Sequence, residues 1–176
     1  MDNCLIVYCP LLIKKRYFMT SQTTAEQKVY HLHSLEVDEQ LAILWYVYKD
    51  FVKDNITAEP ERPDENLEKS SALVEQVKQM SSEEQLQVQK DLIIGKDTDE
   101  FQTYKEYSSN QKLFFWYSLA AEMERGNAVP VPDDYQLSPD AQQLLDSIKE
   151  IGFSEKLVFI KDAVGLGAAQ ATEKNV

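Results

Sequence analysis

The chain has 176 residues, 43% hydrophobic and 27% charged, the proportions of an ordinary globular domain long enough to bury a sizeable core. Its 30 acidic and 18 basic side chains give a formal charge of −12, which excludes a uniformly basic surface and with it general nucleic-acid binding. Only 5 glycines and 6 prolines interrupt long mixtures of apolar and charged residues, which favours helix over strand.

Residues 1–18, MDNCLIVYCPLLIKKRYF, are apolar first and basic afterwards, the reverse of a secretory signal, and the apolar run is too short to span a bilayer. The two cysteines, Cys4 and Cys9, match no zinc or redox spacing and point to a reducing cytosol. Met19 reads as the working start, followed by the polar arm MTSQTTAEQ. Residues 1–22 are therefore assigned to an extension and arm, 23–167 to the folded domain, and 168–176 to a flexible tail.

Thr23 and Glu26 suit a capping box for a short helix through about His33. A long apolar helix is expected from about Glu36 to Lys53, broken by ITAEPERPDEN with its two prolines. Helix signals resume over about 66–80. Ser81 and Glu84 form a second capping box for a helix ending near Ile94, where Gly95 fits the C-terminus. DTDEFQTYKEYSSN reads as a looser segment. A second aromatic helix follows over about 111–125, closed by Gly126, and then AVPVPDDYQL forms an extended connector. Ser138-Pro139 is an N-cap with proline at the first helical position, and Ser154 is the expected cap of a last helix over about 155–166. The fold class is all-α.

Two stretches stand out. LAILWYVY at 41–48 is uncharged and sets Leu41, Leu44, Trp45 and Tyr48 at i, i+3, i+4 and i+7; LFFWYSLAA at 113–121 repeats that spacing with Leu113, Trp116, Tyr117 and Ala120. Both helices are apolar on other faces too, at Ile43 and Val47 and at Phe114 and Phe115, so each is buried on most sides. Such stripes serve as core. They also suit the walls of a slot for a flat apolar ligand, because buried Trp and Tyr demand partners that aliphatic residues do not.

The blocks LAILWYVYKDF, QKLFFWYSLAAEMERG, VPVPDDYQLSPDAQQLL and LVFIKDAVGLG, in that order, resemble the N-terminal domain of the cyanobacterial orange carotenoid protein over about 23–167. The resemblance implies two interleaved four-helix bundles enclosing one keto-carotenoid of the canthaxanthin, echinenone or 3'-hydroxyechinenone type. It implies quenching of singlet oxygen and, in some members, dissipation of phycobilisome excitation as heat. Carried over residue by residue, it places carotenoid contacts at Leu41, Leu44, Trp45, Tyr48, Leu113, Trp116, Tyr117, Val131 and Tyr135. It also marks departures. Lys161 replaces an Arg used for pigment contact and phycobilisome attachment, Ala120 a glycine beside the tunnel, Ala121 an acidic residue, and Gln89 a methionine of the wall. Implied partners are the carotenoid, the phycobilisome, and a carotenoid-donating homologue of the missing C-terminal domain.

The chain reads as a non-enzyme. It has no glycine-rich phosphate loop and no G-x-S-x-G. His31 and His33 stand at i, i+2 and share no helix face, which argues against a metal pair. Glu83-Glu84 and Asp133-Asp134 read as a helix N-terminus and a turn. Two other functions stay open: a helical interaction module that has lost its pigment, which Ala120 and Gln89 would favour, and a phycobilisome quencher, which the acidic charge opposes.

Overall fold

The computed structural model describes residues 24–55, 67–132 and 134–173; the expected start at Met19, the Thr23 half of the first capping box and the loop 56–66 lie outside them. Among the described residues there is no strand. The helices are α1 (Thr24–Ser34), α2 (Val37–Val47), α3 (Glu68–Lys78), α4 (Ser82–Ile94), α5 (Asp99–Lys105), α6 (Ser109–Glu124), α7 (Pro139–Glu150) and α8 (Phe153–Glu173). α2 runs on through a π turn, Tyr48–Val52, into a last α turn, Lys53–Asn55.

Local chemistry sets most boundaries. The Ser81 hydroxyl accepts from the Glu84 N–H and the Glu84 carboxylate accepts from the Ser81 N–H, which closes the expected capping box. Ser108 and Gln111 do the same at α6, and Ser138 caps α7 with Pro139 behind it. Gly95 and Gly126 end α4 and α6 with φ of 68° and 77°, a conformation that other residues rarely adopt.

Two boundaries differ from expectation. The segment read as loose contains α5, capped by Thr98. α8 begins at Phe153 rather than 155, so Ser154 lies inside it; the Gly152 carbonyl accepts from Lys156 and the Glu155 carboxylate accepts from the Gly152 N–H, so Gly152 holds the N-cap position. α8 also continues to Glu173, so the boundary expected at 167–168 falls within a helix.

α1, α2, α7 and α8 form one group, in which α1 packs on the other three and α2 on α7. The helices α3 to α6 form the second, with α3 on α4 and α6, and α4 on α5. The groups interlock where α6 meets α8 and the π turn, and where α4 meets α2 and α8. That crossing buries Ile43, Phe115, Leu119 and Phe159 completely. It also brings both aromatic helices to the centre of the domain.

Candidate functional site

α2 delivers its stripe intact. Trp45 and Tyr48 are buried and stack with ring centroids 5.8 Å apart and planes 13° from parallel. Tyr48 then meets Tyr117 of α6 edge-on, at 5.8 Å and 69°. Both are preferred aromatic geometries, each worth about 0.5–1.5 kcal/mol beyond area burial. The Lys53 N–H bonds to the Tyr48 carbonyl, five residues back, which is the π pattern. Single π turns of this kind concentrate at functional sites.

α6 divides its apolar residues between two faces. Phe115 and Leu119 enter the core, while Leu113, Trp116, Tyr117, Ala120 and Met123 face a cavity. The Trp116 indole N–H donates to the Tyr104 hydroxyl of α5 at 3.0 Å, and that hydroxyl donates to the Val164 carbonyl of α8 at 2.6 Å. The half-buried indole thus has the partner it needs. Burial pushes the Tyr104 phenol far above its usual range, an effect that the Trp116 bond only partly offsets. The Lys112 ammonium lies 5.3 Å from the Tyr104 ring centroid.

The connector after α6 is pinned at several points. Gln85 accepts from the Val129 N–H at 2.9 Å, Glu39 accepts from the Ser138 N–H at 2.9 Å, and the Tyr46 hydroxyl donates to the Tyr135 carbonyl at 3.4 Å. This fixes Val131 against the cavity.

A narrow apolar cavity of about 50 Å³, part of it open to solvent, lies between the two stripes. Its wall consists of Leu41, Leu44, Trp45, Val47, Tyr48 and Val52 from α2 and its π turn, Gln89 from α4, the five residues of α6, Val131, and Ile160 and Val164 of α8. From Leu113 to Met123 it extends about 15 Å along α6. Among the described residues no carboxylate or ammonium lines it. The Tyr48 phenol is pushed up to about 12, chiefly by burial and next by Glu124, and stays neutral at ordinary pH. A narrow apolar slot with aromatic walls suits a flat, apolar molecule.

Every expected wall residue lies on this cavity except Tyr135 and Lys161. Tyr135 stays in the connector, and Lys161 is half-buried on α8 beside Ile160. The wall residues that sequence reasoning missed are Val47, Val52, Met123, Ile160 and Val164; Tyr104, behind the wall, was missed as well. His31 bonds Asp140 at 3.0 Å while His33 packs toward α2 and α8, so the two do diverge. Among the described residues no group of three His, Cys, Asp or Glu is placed to hold a metal ion, and no helix is long and apolar enough to cross a membrane.

Comparison with known proteins settles the family. The model of the orange carotenoid protein N-terminal family matches residues 19–168.

This chain belongs to the orange carotenoid protein N-terminal family.

Among relatives, an orange carotenoid-binding domain-containing protein of Nostoc sp. is 37% identical over 131 residues, covering 74% of this chain and 75% of the relative. The orange carotenoid-binding protein of Synechocystis sp. is 32% identical over 130 residues, which span 74% of this chain and 40% of that longer protein. A solved structure of the Anabaena (Nostoc) sp. red carotenoid protein binding canthaxanthin is similar with a TM-score of 0.70 and 34% identity, covering 81% of this chain and 96% of that one. The orange carotenoid protein of the same organism binding canthaxanthin gives a TM-score of 0.73 and 30% identity, covering 80% of this chain and 45% of that one. The all-α family fold is therefore common to both.

Proposed function

We propose that this chain binds one keto-carotenoid in the slot between α2 and α6 and protects its cell by quenching singlet oxygen. The observation that carries the reading is the convergence of the two aromatic stripes on one apolar cavity. Trp45, Tyr48, Trp116 and Tyr117 would hold the polyene by flat and edge contacts, while Leu41, Leu44, Leu113 and Val131 complete the wall. When bound, the pigment would supply the photophysics, taking up triplet energy from singlet oxygen and releasing it as heat. The protein's own part is to keep the polyene out of water and fix its geometry, a binding role that calls for no catalytic group.

The test is a lifetime measurement. Pigment-loaded protein should shorten the singlet-oxygen emission relative to the pigment-free protein at equal concentration. Equal lifetimes would overturn the quenching reading.

Antenna quenching is a separable proposal that rests on Lys161, which replaces the Arg expected from the resemblance and lies off the cavity wall. A chain of charge −12 docks poorly onto an acidic antenna, so the attachment would depend on local cations such as this one. It predicts salt-sensitive binding to phycobilisomes with loss of fluorescence, both abolished in Lys161→Glu. Indifference to that substitution would remove Lys161 as the docking residue.

A further inference from the structure

The cavity wall is polar in side-chain amide at one point. Gln89 of α4 is only 4% exposed and borders the slot, and its Nε2 has no hydrogen-bond partner. Other glutamines of α4 show what such a group ordinarily does: Gln85 donates to the Met80 carbonyl at 3.1 Å and accepts from Val129 at 2.9 Å, and Gln87 donates to Asp91 at 2.7 Å. Among the described residues, the buried side-chain atoms without a partner are His33 Nε2, Gln40 Oε1, Ser70 Oγ and Gln89 Nε2. Gln89 alone of these borders the cavity.

A buried amide N–H without an acceptor carries a desolvation penalty that only an acceptor removes. A hydrocarbon occupant offers none, and against one a methionine or leucine would make the better wall. An occupant that brings an oxygen turns the same residue into a specificity element, because the unmatched polar group then discriminates against the analogue that lacks the oxygen. The lined part of the slot, about 15 Å along α6, is shorter than an extended carotenoid, so donation to a ring oxygen requires one end ring to lie inside the wall.

We propose that Gln89 selects the pigment: its amide N–H donates a hydrogen bond to a ring oxygen, so the slot prefers oxygenated carotenoids and seats an oxygen-bearing ring beside α4. This rests on the pigment-binding reading above and deepens it. Gln89 and Ala120 would then mark a changed preference instead of a lost pigment.

The experiment loads pigment-free protein, wild type and Gln89→Met, with canthaxanthin or with β-carotene, which has the same ring skeleton without oxygen. Wild type should favour canthaxanthin by roughly three- to tenfold more than Gln89→Met does, the range of one hydrogen bond between neutral groups. The difference should arise from lost canthaxanthin affinity. A second readout needs no pigment: pigment-free Gln89→Met should melt no lower than wild type, since the substitution removes an unpartnered amide. An unchanged preference ratio overturns the proposal, and so does a Gln89→Met protein that melts well below wild type, which would assign the amide a structural partner. Failure of both proteins to take up either pigment would instead sink the pigment reading itself.

Discussion

The indole of Trp116 is held by Tyr104, whose hydroxyl accepts its N–H at 3.0 Å and passes a hydrogen bond to Val164 of α8. One buried phenol thus sets the angle of a wall aromatic and ties α5, α6 and α8 together. Tyr104→Phe keeps the ring but leaves the indole N–H without its acceptor. The loss should be about 1–3 kcal/mol of stability, read in a denaturant melt, together with a shift in tryptophan emission. An unchanged melt and emission would show that the relay does not hold Trp116.

Trp45 and Trp116 separate wall from core. Removing a large aromatic from a closed core costs about 3–5 kcal/mol, but both rings already border empty space. Trp45→Ser or Trp116→Ser should therefore cost carotenoid affinity or shift the pigment's absorption while leaving helicity largely intact. Unaltered spectra in both variants would remove the two residues from the site, and wholesale unfolding would assign them to the core.

Ala120 sits at the wall with 8% exposure, where the resemblance implies a glycine. Ala120→Leu should grow into the slot and block pigment uptake, at less than the ~1–3 kcal/mol that overpacking a filled core costs. Ala120→Gly should widen the slot and weaken α6 by about 1 kcal/mol. Pigment uptake by Ala120→Leu equal to that of wild type would place the ligand elsewhere.

His33 gives the fold a pH dependence of definite sign. Burial beside α2 and α8 holds its imidazole below the usual 6.5, against smaller opposing contributions from Gln40 and the Ala163 backbone. Above 6.5 neither folded nor unfolded chain binds this proton, so the stability is fully present there. As pH falls below 6.5 the unfolded chain takes up the proton first, and stability drops until the folded-state value is passed. The melting temperature should decline as pH falls below the usual 6.5, and His33→Gln should flatten that slope. A slope of equal size in His33→Gln would assign it to other groups.

What the sequence disclosed follows from the range of the interactions involved. Ser81, Glu84, Gly95, Ser138 and Pro139 act within a few residues of themselves, so their boundaries were readable directly. The stripes of α2 and α6 were readable because helical spacing alone puts Trp45 with Tyr48 and Trp116 with Leu113 on one face. α5 was missed because two turns of helix are too short to display a period. Tyr104 was lost with it, although Thr98 followed by Asp99 and Glu100 was a usable start signal.

Other misses have no local signature. Ile160 and Val164 form an apolar stripe that would look the same facing core or cavity, and only the packing of α8 on α6 and α4 decides. Val52 ends a π turn that spacing rules for an α-helix do not foresee. Tyr135 and Lys161 entered through the family resemblance, and the slot's wall does not include them. Ser154 was read as the cap of the last helix, but the pairing of Gly152 with Glu155 holds that end and leaves Ser154 inside the helix.

The most direct measurement is the absorption spectrum of the protein purified from cells that make keto-carotenoids. The account predicts a visible band, structured or red-shifted, that co-elutes with the protein at about one pigment per chain. A colourless, folded protein from the same cells would contradict it, and would make the two aromatic stripes the walls of a cavity that holds no carotenoid.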